Sequence, residues 1–144
     1  MPRVAALCVA LCVALGVARG AAVDVDVVDT VDAFAERVLQ QDARDAVVVA
    51  FTTPRCPHCA ALKPHLEKLR REFAIERGTV DVVEVDCARA REVCAWQRAT
   101  RFPTIKYYVA GDGDERGREY GTSRAATYDA MATFAEHHLE RARD

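Results

Sequence analysis

With 144 residues, 51% hydrophobic and 29% charged, the chain has the size and composition of one globular domain, which argues against a disordered chain and against two separate cores. Its 20 basic residues against 22 acidic ones, a formal net charge of −2, argue against nucleic acid or an anionic membrane as the main partner.

Residues 1–20 stand apart from that domain. Met1-Pro2-Arg3 makes a short basic start, Val4 to Ala18 is an almost unbroken apolar run, and Ala18-Arg19-Gly20 sets small residues at the two positions a signal peptidase reads. The run is short for a membrane span of ~20 residues, and Asp24, Asp26 and Asp29 follow soon after it. A signal peptide over 1–20 is the expectation, with an uncleaved anchor as the alternative. Its removal takes away Arg3 and Arg19, leaving 18 basic against 22 acidic residues and a net charge of −4. Cys8 and Cys12 go with it, and the remaining Cys56, Cys59, Cys87 and Cys94 are an even number in an exported chain. That points to an oxidising compartment and two pairs.

Val23 to Val28 alternates apolar and acidic residues, as an edge strand would. A helix follows from a Thr30 or Asp32 cap to about Gln41, with Val31, Phe34, Ala35, Val38 and Leu39 at helical spacing. Ala46 to Phe51 has no polar alternation and is rich in β-branched residues, the pattern of a central strand covered on both faces. From Pro57 to Arg77 the period is helical again, with Leu62, Leu66, Leu69, Phe73 and Ile75 as the apolar side and Pro64 expected to kink it. Gly78 is a stop signal.

Thr79 to Asp86 reads as a strand, and a short helical segment lies between Cys87 and Trp96. Another strand runs from Thr104 to Val109. The Gly111-Asp112-Gly113-Asp114 turn leads into a strand from about Glu115 to Tyr120. A last helix starts at a Thr122 or Ser123 cap, runs to about Arg141 and buries Tyr128, Met131, Phe134, Ala135 and Leu139. Strands alternating with helices, closed by a hairpin and a helix, predict an α/β protein with a central mixed β-sheet flanked by helices on both faces.

The chemistry is concentrated in Cys56-Pro57-His58-Cys59 at the start of the long helix. Two cysteines at this spacing can close a small disulfide ring. The unpaired N–H groups and dipole of the helix start favour a negative sulfur on the first of them. A permanent structural disulfide and half of a zinc site are the alternatives. Zinc asks for about four ligands in closed geometry, and Cys87 and Cys94 do not form a second C-x-x-C. His65 reads as a surface residue. Asp112 and Asp114 read as a turn rather than a calcium ladder.

From about Val25 to Leu139 the chain resembles a thioredoxin-fold domain of the protein disulfide isomerase type. The landmarks are the buried strand into Phe51, Pro54 two residues before Cys56, the C-x-x-C, Pro64, Phe102-Pro103-Thr104 before a strand, and Tyr120 followed by Arg124. The resemblance implies one thioredoxin-like domain over 21–144. It makes Cys56 the exposed nucleophile, with Pro57 at the first helical position, and Cys59 the buried resolving thiol. It also implies a cis bond before Pro103, whose loop with Phe102 would hydrogen-bond an extended substrate. Arg124 matches an arginine thought to swing toward the resolving cysteine, with a solvated helix-start arginine as the alternative. Some isomerase domains carry a second pair where Cys87 and Cys94 stand. A structural disulfide leads there, ahead of free thiols or a second redox pair.

Pro57-His58 resembles the bacterial periplasmic oxidase more than the isomerases, whose potentials are ~−120 and ~−180 mV. An oxidising site is therefore expected, and protonated His58 would add to it. Three positions depart from the family pattern. Arg55 replaces a tryptophan and adds positive charge beside Cys56. Ala50 stands where the family has a buried acid that moves protons for the resolving thiol. Glu84 aligns with that acid's usual lysine partner and could substitute if it points inward.

The expected function is a thiol-disulfide oxidoreductase acting on unfolded cysteine-containing polypeptides during folding. It needs no cofactor or metal and is reoxidised by an upstream thiol oxidase. A non-catalytic client-binding or adaptor module and a thioredoxin-like reductant are the alternatives. The endoplasmic reticulum lumen is the expected location. His138 to Asp144 does not read as a retention tetrapeptide, so residence there would rest on a partner, with secretion as the alternative.

Overall fold

The computed structural model describes residues 28–40, 45–120 and 126–143. The expected signal peptide, most of the Val23–Val28 strand, the Thr122 and Ser123 caps and Arg124 lie outside the described residues.

Four strands, β1 (Ala46–Thr52), β2 (Val80–Asp86), β3 (Thr104–Val109) and β4 (Arg118–Glu119), form one mixed sheet in the order β2-β1-β3-β4. β1 pairs parallel to β2 and antiparallel to β3, so the continuous apolar run sits in the middle of the sheet. All seven β1 residues are buried. Their alternation divides the core. Ala46, Val48 and Ala50 face one cluster with Leu62, Leu66, Leu69, Phe73, Met131, Ala135 and Leu139. Val47, Val49 and Phe51 face the other, with Phe34, Val38, Val93 and both Cys87 and Cys94. Helices α2 (Pro57–Leu69) and α4 (Tyr128–Arg143) cover the first face. Helices α1 (Val31–Phe34) and α3 (Arg91–Trp96) cover the second. This is the mixed sheet between helical layers expected from the pattern of elements, and it is the thioredoxin fold that the resemblance implies.

Both long apolar stripes change winding part-way. α1 passes into wider π-type turns over Ala35–Leu39, closed by the Gln40 N–H on the Ala35 carbonyl at 2.9 Å. α2 does the same over Arg70–Arg77 before Gly78 ends it at φ 68°. The α2 seam of Leu62, Leu66, Leu69 and Phe73 is buried, and each of these side chains contributes about 1.5–3 kcal/mol. Ile75, expected on that seam, is 73% exposed instead. Two residues beyond Phe73 is roughly half a turn, so its side chain leaves on the opposite side.

The second strand of the hairpin is shorter than expected, Arg118–Glu119 rather than Glu115 to Tyr120. Asp112 Oδ1 accepts the Asp114 N–H at 2.8 Å and Asp114 Oδ1 accepts the Arg116 N–H at 3.0 Å, so side chains take donors that a ladder would need. The last helix starts later than expected, at Tyr128, with the Thr127 hydroxyl accepting the Ala130 N–H at 3.4 Å.

Candidate redox site

β1 ends at Thr52, and the Thr53-Pro54-Arg55 loop delivers the chain to Cys56, the N-cap of α2. Cys56 is extended at φ −97° and ψ 109°, while Pro57 occupies the first turn, where its missing N–H costs nothing. Cys56 Sγ accepts the Cys59 N–H at 3.1 Å. The sulfur therefore takes the capping place that an oxygen usually fills. An N–H donor aimed at that sulfur favours negative charge on it whenever it is reduced. The two cysteines are disulfide-bonded with their Cα atoms 5.1 Å apart. Cys56 is half-buried, Pro57 and His58 are exposed, and Cys59 is 8% exposed.

Cavities flank the dithiol on two sides. One of about 580 Å³ reaches both Cys56 and Cys59 and is bordered by Thr52, Arg55, Lys63 and Glu84. Another, of about 460 Å³, is bordered by His58, His65, Arg101, Phe102, Pro103 and Tyr120. The Phe102–Pro103 bond is cis. The Thr104 hydroxyl donates to the Arg101 carbonyl at 2.5 Å and ties that loop to the start of β3. The fold thus gathers Cys56, Pro57, His58, Cys59, Phe102 and Pro103 at one end of the sheet. Arg124 lies outside the described residues.

Glu84 sits opposite Ala50 in the parallel β1–β2 register. It shares the cavity of Cys59, and its carboxylate accepts the Thr52 hydroxyl at 3.2 Å. The side chain is exposed rather than enclosed. Thr52 was not singled out by the sequence. Its signal is a polar residue closing an otherwise apolar strand, just before the loop that carries the dithiol.

His65 is also more than a surface residue. It is half-buried, borders the second cavity, and its Nδ1 accepts the Tyr128 N–H at 3.2 Å. Position 65 looks solvent-facing by helical period. Only α4, 63 residues later, supplies the partner.

Cys87 and Cys94 are disulfide-bonded, with Cα atoms 5.8 Å apart, and both sulfurs belong to the cluster beneath α1 and α3. The Cys87 N–H donates to the Thr52 carbonyl at 2.8 Å, so this bridge is tied to the strand end that leads into the dithiol loop. A polar network lies nearby on the same sheet face. Lys106, 6% exposed, donates through Nζ to the carbonyls of Gln97 and Arg116. Tyr108 donates to Gln97 Oε1 at 2.8 Å, and Gln97 Nε2 donates to the Glu115 carbonyl at 2.9 Å. Burial lowers the Lys106 pKa and raises that of Tyr108. Among the described residues, no group of three or more His, Cys, Asp and Glu could hold a metal ion.

A mixed sheet between two helical layers, with C-x-x-C at a helix start beside a cis-proline loop, defines a thioredoxin-fold domain. A family model described as Thioredoxin matches residues 25–134, and the chain belongs to that family. It is 32% identical over 134 residues to "Protein disulfide isomerase-like 2-2" of Oryza sativa subsp. japonica, a match covering 93% of this chain and 34% of the relative. It is 34% identical over 98 residues to "Probable protein disulfide-isomerase A6" of Medicago sativa, covering 68% of this chain and 26% of the relative. The chain thus spans about a third or less of the length of these relatives. Among solved structures, Fasciola hepatica thioredoxin superposes with a TM-score of 0.60 at 21% identity, over 78% of this chain and 97% of that one.

Proposed function

We propose that this chain is a thiol-disulfide oxidoreductase acting on cysteine-containing polypeptides as they fold in the secretory pathway, with the endoplasmic reticulum lumen as its location. The observation that carries this is the bonded Cys56–Cys59 pair at the start of α2, with Cys56 half-buried and Cys59 withdrawn behind it. The similarity to protein disulfide isomerase-like proteins supports the same reading. Among the described residues no helix is long and apolar enough to cross a membrane.

In the oxidising direction a client thiolate attacks Cys56 Sγ, the Cys56–Cys59 bond breaks, and Cys59 leaves with the electron pair and takes a proton. A second client thiolate then attacks the client sulfur of the mixed disulfide. The client disulfide forms and Cys56 leaves as a thiolate, facing the Cys59 N–H. An upstream thiol oxidase accepts the two electrons and restores the pair. In the reverse direction Cys59 loses its proton and attacks the mixed disulfide. Glu84, sharing the cavity of Cys59, is the group we assign to carry that proton through water. The Phe102-Pro103 loop would hold the client backbone, and the Cys87–Cys94 bridge is assigned a structural role.

An insulin-reduction or scrambled-ribonuclease assay compares the chain with Cys56→Ser. Loss of activity in the variant is expected, and equal activity would sink the enzymatic reading in favour of a client-binding module. Ala50, which puts no acid on β1 beside the dithiol, is the feature that favours the module.

A further inference from the structure

We propose that the redox face selects client cysteines flanked by acidic residues, through Arg55 and Arg101 on either side of the dithiol. This rests on the disulfide-exchange reading above and adds a client class to it.

The chain as a whole is acidic, yet the cations around its dithiol are not neutralised by ion pairs. Arg55 directly precedes Cys56 and borders the first cavity, together with Lys63. Arg101 directly precedes the Phe102-Pro103 loop and borders the second. All three side chains are exposed, and none has a hydrogen-bond or ion-pair partner among the described residues. Of the other described arginines, Arg37, Arg77, Arg89 and Arg118 are each paired with a carboxylate, whereas Arg71, Arg91 and Arg98 have no ion pair among the described residues.

The acids bordering the same cavities, Glu84, Asp86 and Glu119, form no ion pair with Arg55, Lys63 or Arg101 among the described residues. Glu84 accepts the Thr52 hydroxyl and Asp86 the Ala88 N–H. Glu119 lies in register with Lys106 and acts on its buried ammonium. A client cysteine reacting at Cys56 therefore brings its sequence neighbours between two uncommitted guanidiniums. An apolar client residue can lie against Leu62, Ile105 and Tyr120 in the second cavity, while adjacent carboxylates meet Arg55 and Arg101. Exposed pairs of this kind are individually modest, so each arginine should change the rate by about two- to five-fold. The effect should act mainly on encounter and fade with salt.

The test uses the full chain in its oxidised state and reduced two-cysteine peptides of one length, whose cysteines are flanked by Asp, Ser or Lys. Peptide oxidation is followed by rapid acid quench and thiol alkylation. Each rate is divided by that of the same peptide with hydroxyethyl disulfide, which removes the effect of flanking charge on the thiol itself. The expected order is Asp over Ser over Lys, with a span of about ten-fold at low salt. That span should shrink at 0.5 M salt and collapse in Arg55→Ser/Arg101→Ser. Equal normalised rates, a Lys preference, or an unchanged span in the double variant overturns the proposal. If no peptide is oxidised at all, including the Ser peptide, the disulfide-exchange reading itself fails, an outcome distinct from loss of preference alone.

Discussion

Glu84 lies directly across the parallel β1–β2 pair from Ala50, and it faces the dithiol cavity with its carboxylate held by the Thr52 hydroxyl at 3.2 Å. An acid one strand away from the buried central position reaches the same cavity as Cys59 while staying open to water. A carboxylate at position 50, where the present side chain is fully buried, would meet a desolvation cost.

Glu84→Gln tests whether that carboxylate moves the Cys59 proton. The amide keeps an acceptor for Thr52 but cannot take up and release a proton. Resolution of a mixed disulfide by Cys59 is expected to slow by about ten- to a hundred-fold, while attack at Cys56 is little changed. Trapping the mixed disulfide by acid quench measures both steps, and an unchanged lifetime would exclude the role.

Replacing both Cys87 and Cys94 by Ser opens an eight-residue loop whose bridge lies in the buried cluster with α1 and α3. The loss of unfolded-state constraint is worth about 2.5 kcal/mol for a loop of that length. Urea unfolding should register it. Exchange at Cys56 and Cys59 is expected to persist in the folded double variant, and its loss there would instead make the second pair part of the electron path.

Tyr108→Phe separates a hydrogen bond from a titration. At neutral pH the variant should lose about 1 kcal/mol with the bond to Gln97. Burial raises the Tyr108 pKa, so the folded chain keeps this proton when the unfolded chain, with a tyrosine pKa of about 10, releases it. The folded state then binds more protons, and the tyrosine's contribution to stability falls as pH rises above about 10. The gap between wild type and variant should narrow there. Lys106 acts with the opposite sign: its lowered pKa makes the unfolded chain bind more protons between its folded value and 10.5, so stability gains with pH in that window. Being common to both proteins, it cancels in the comparison. Chemical denaturation at pH 7 and pH 10.5 measures the gap, and a constant difference would count against the argument.

Gly117→Ala should destabilise the hairpin by about 2 kcal/mol. Gly117 has φ 62°, and an added Cβ would stand 2.6 Å from the Tyr108 ring. Thermal unfolding measures it, and a neutral substitution would mean that the loop and ring move apart freely.

The elements with strong local signals were legible. Ala46 to Phe51 reads as a central strand because every side chain in it can be buried. Pro57 after Cys56 reads as a helix start because proline needs no N–H donor there. Gly78 reads as a stop because it adopts a left-handed backbone at little cost. Ile75 was misplaced by assigning it to the apolar seam against its angular position. The hairpin strand is shorter than its composition suggests because Asp114 takes the Arg116 backbone donor that a ladder would use.

The sequence by itself determined the dithiol, its helix start and the sheet that delivers it, because those depend on residues near in the chain and on periodicity. Only the tertiary structure decided that Glu84 reaches the Cys59 cavity and that His65 caps α4. It also decided that Lys106, Gln97 and Tyr108 satisfy one another and that Arg55 and Arg101 form no ion pair among the described residues. Each of these is a statement about partners far away in sequence, such as Thr52 and Glu84 at a separation of 32 residues. Which polar atoms meet across such a distance is set by how the packed layers stack, and no local propensity encodes it.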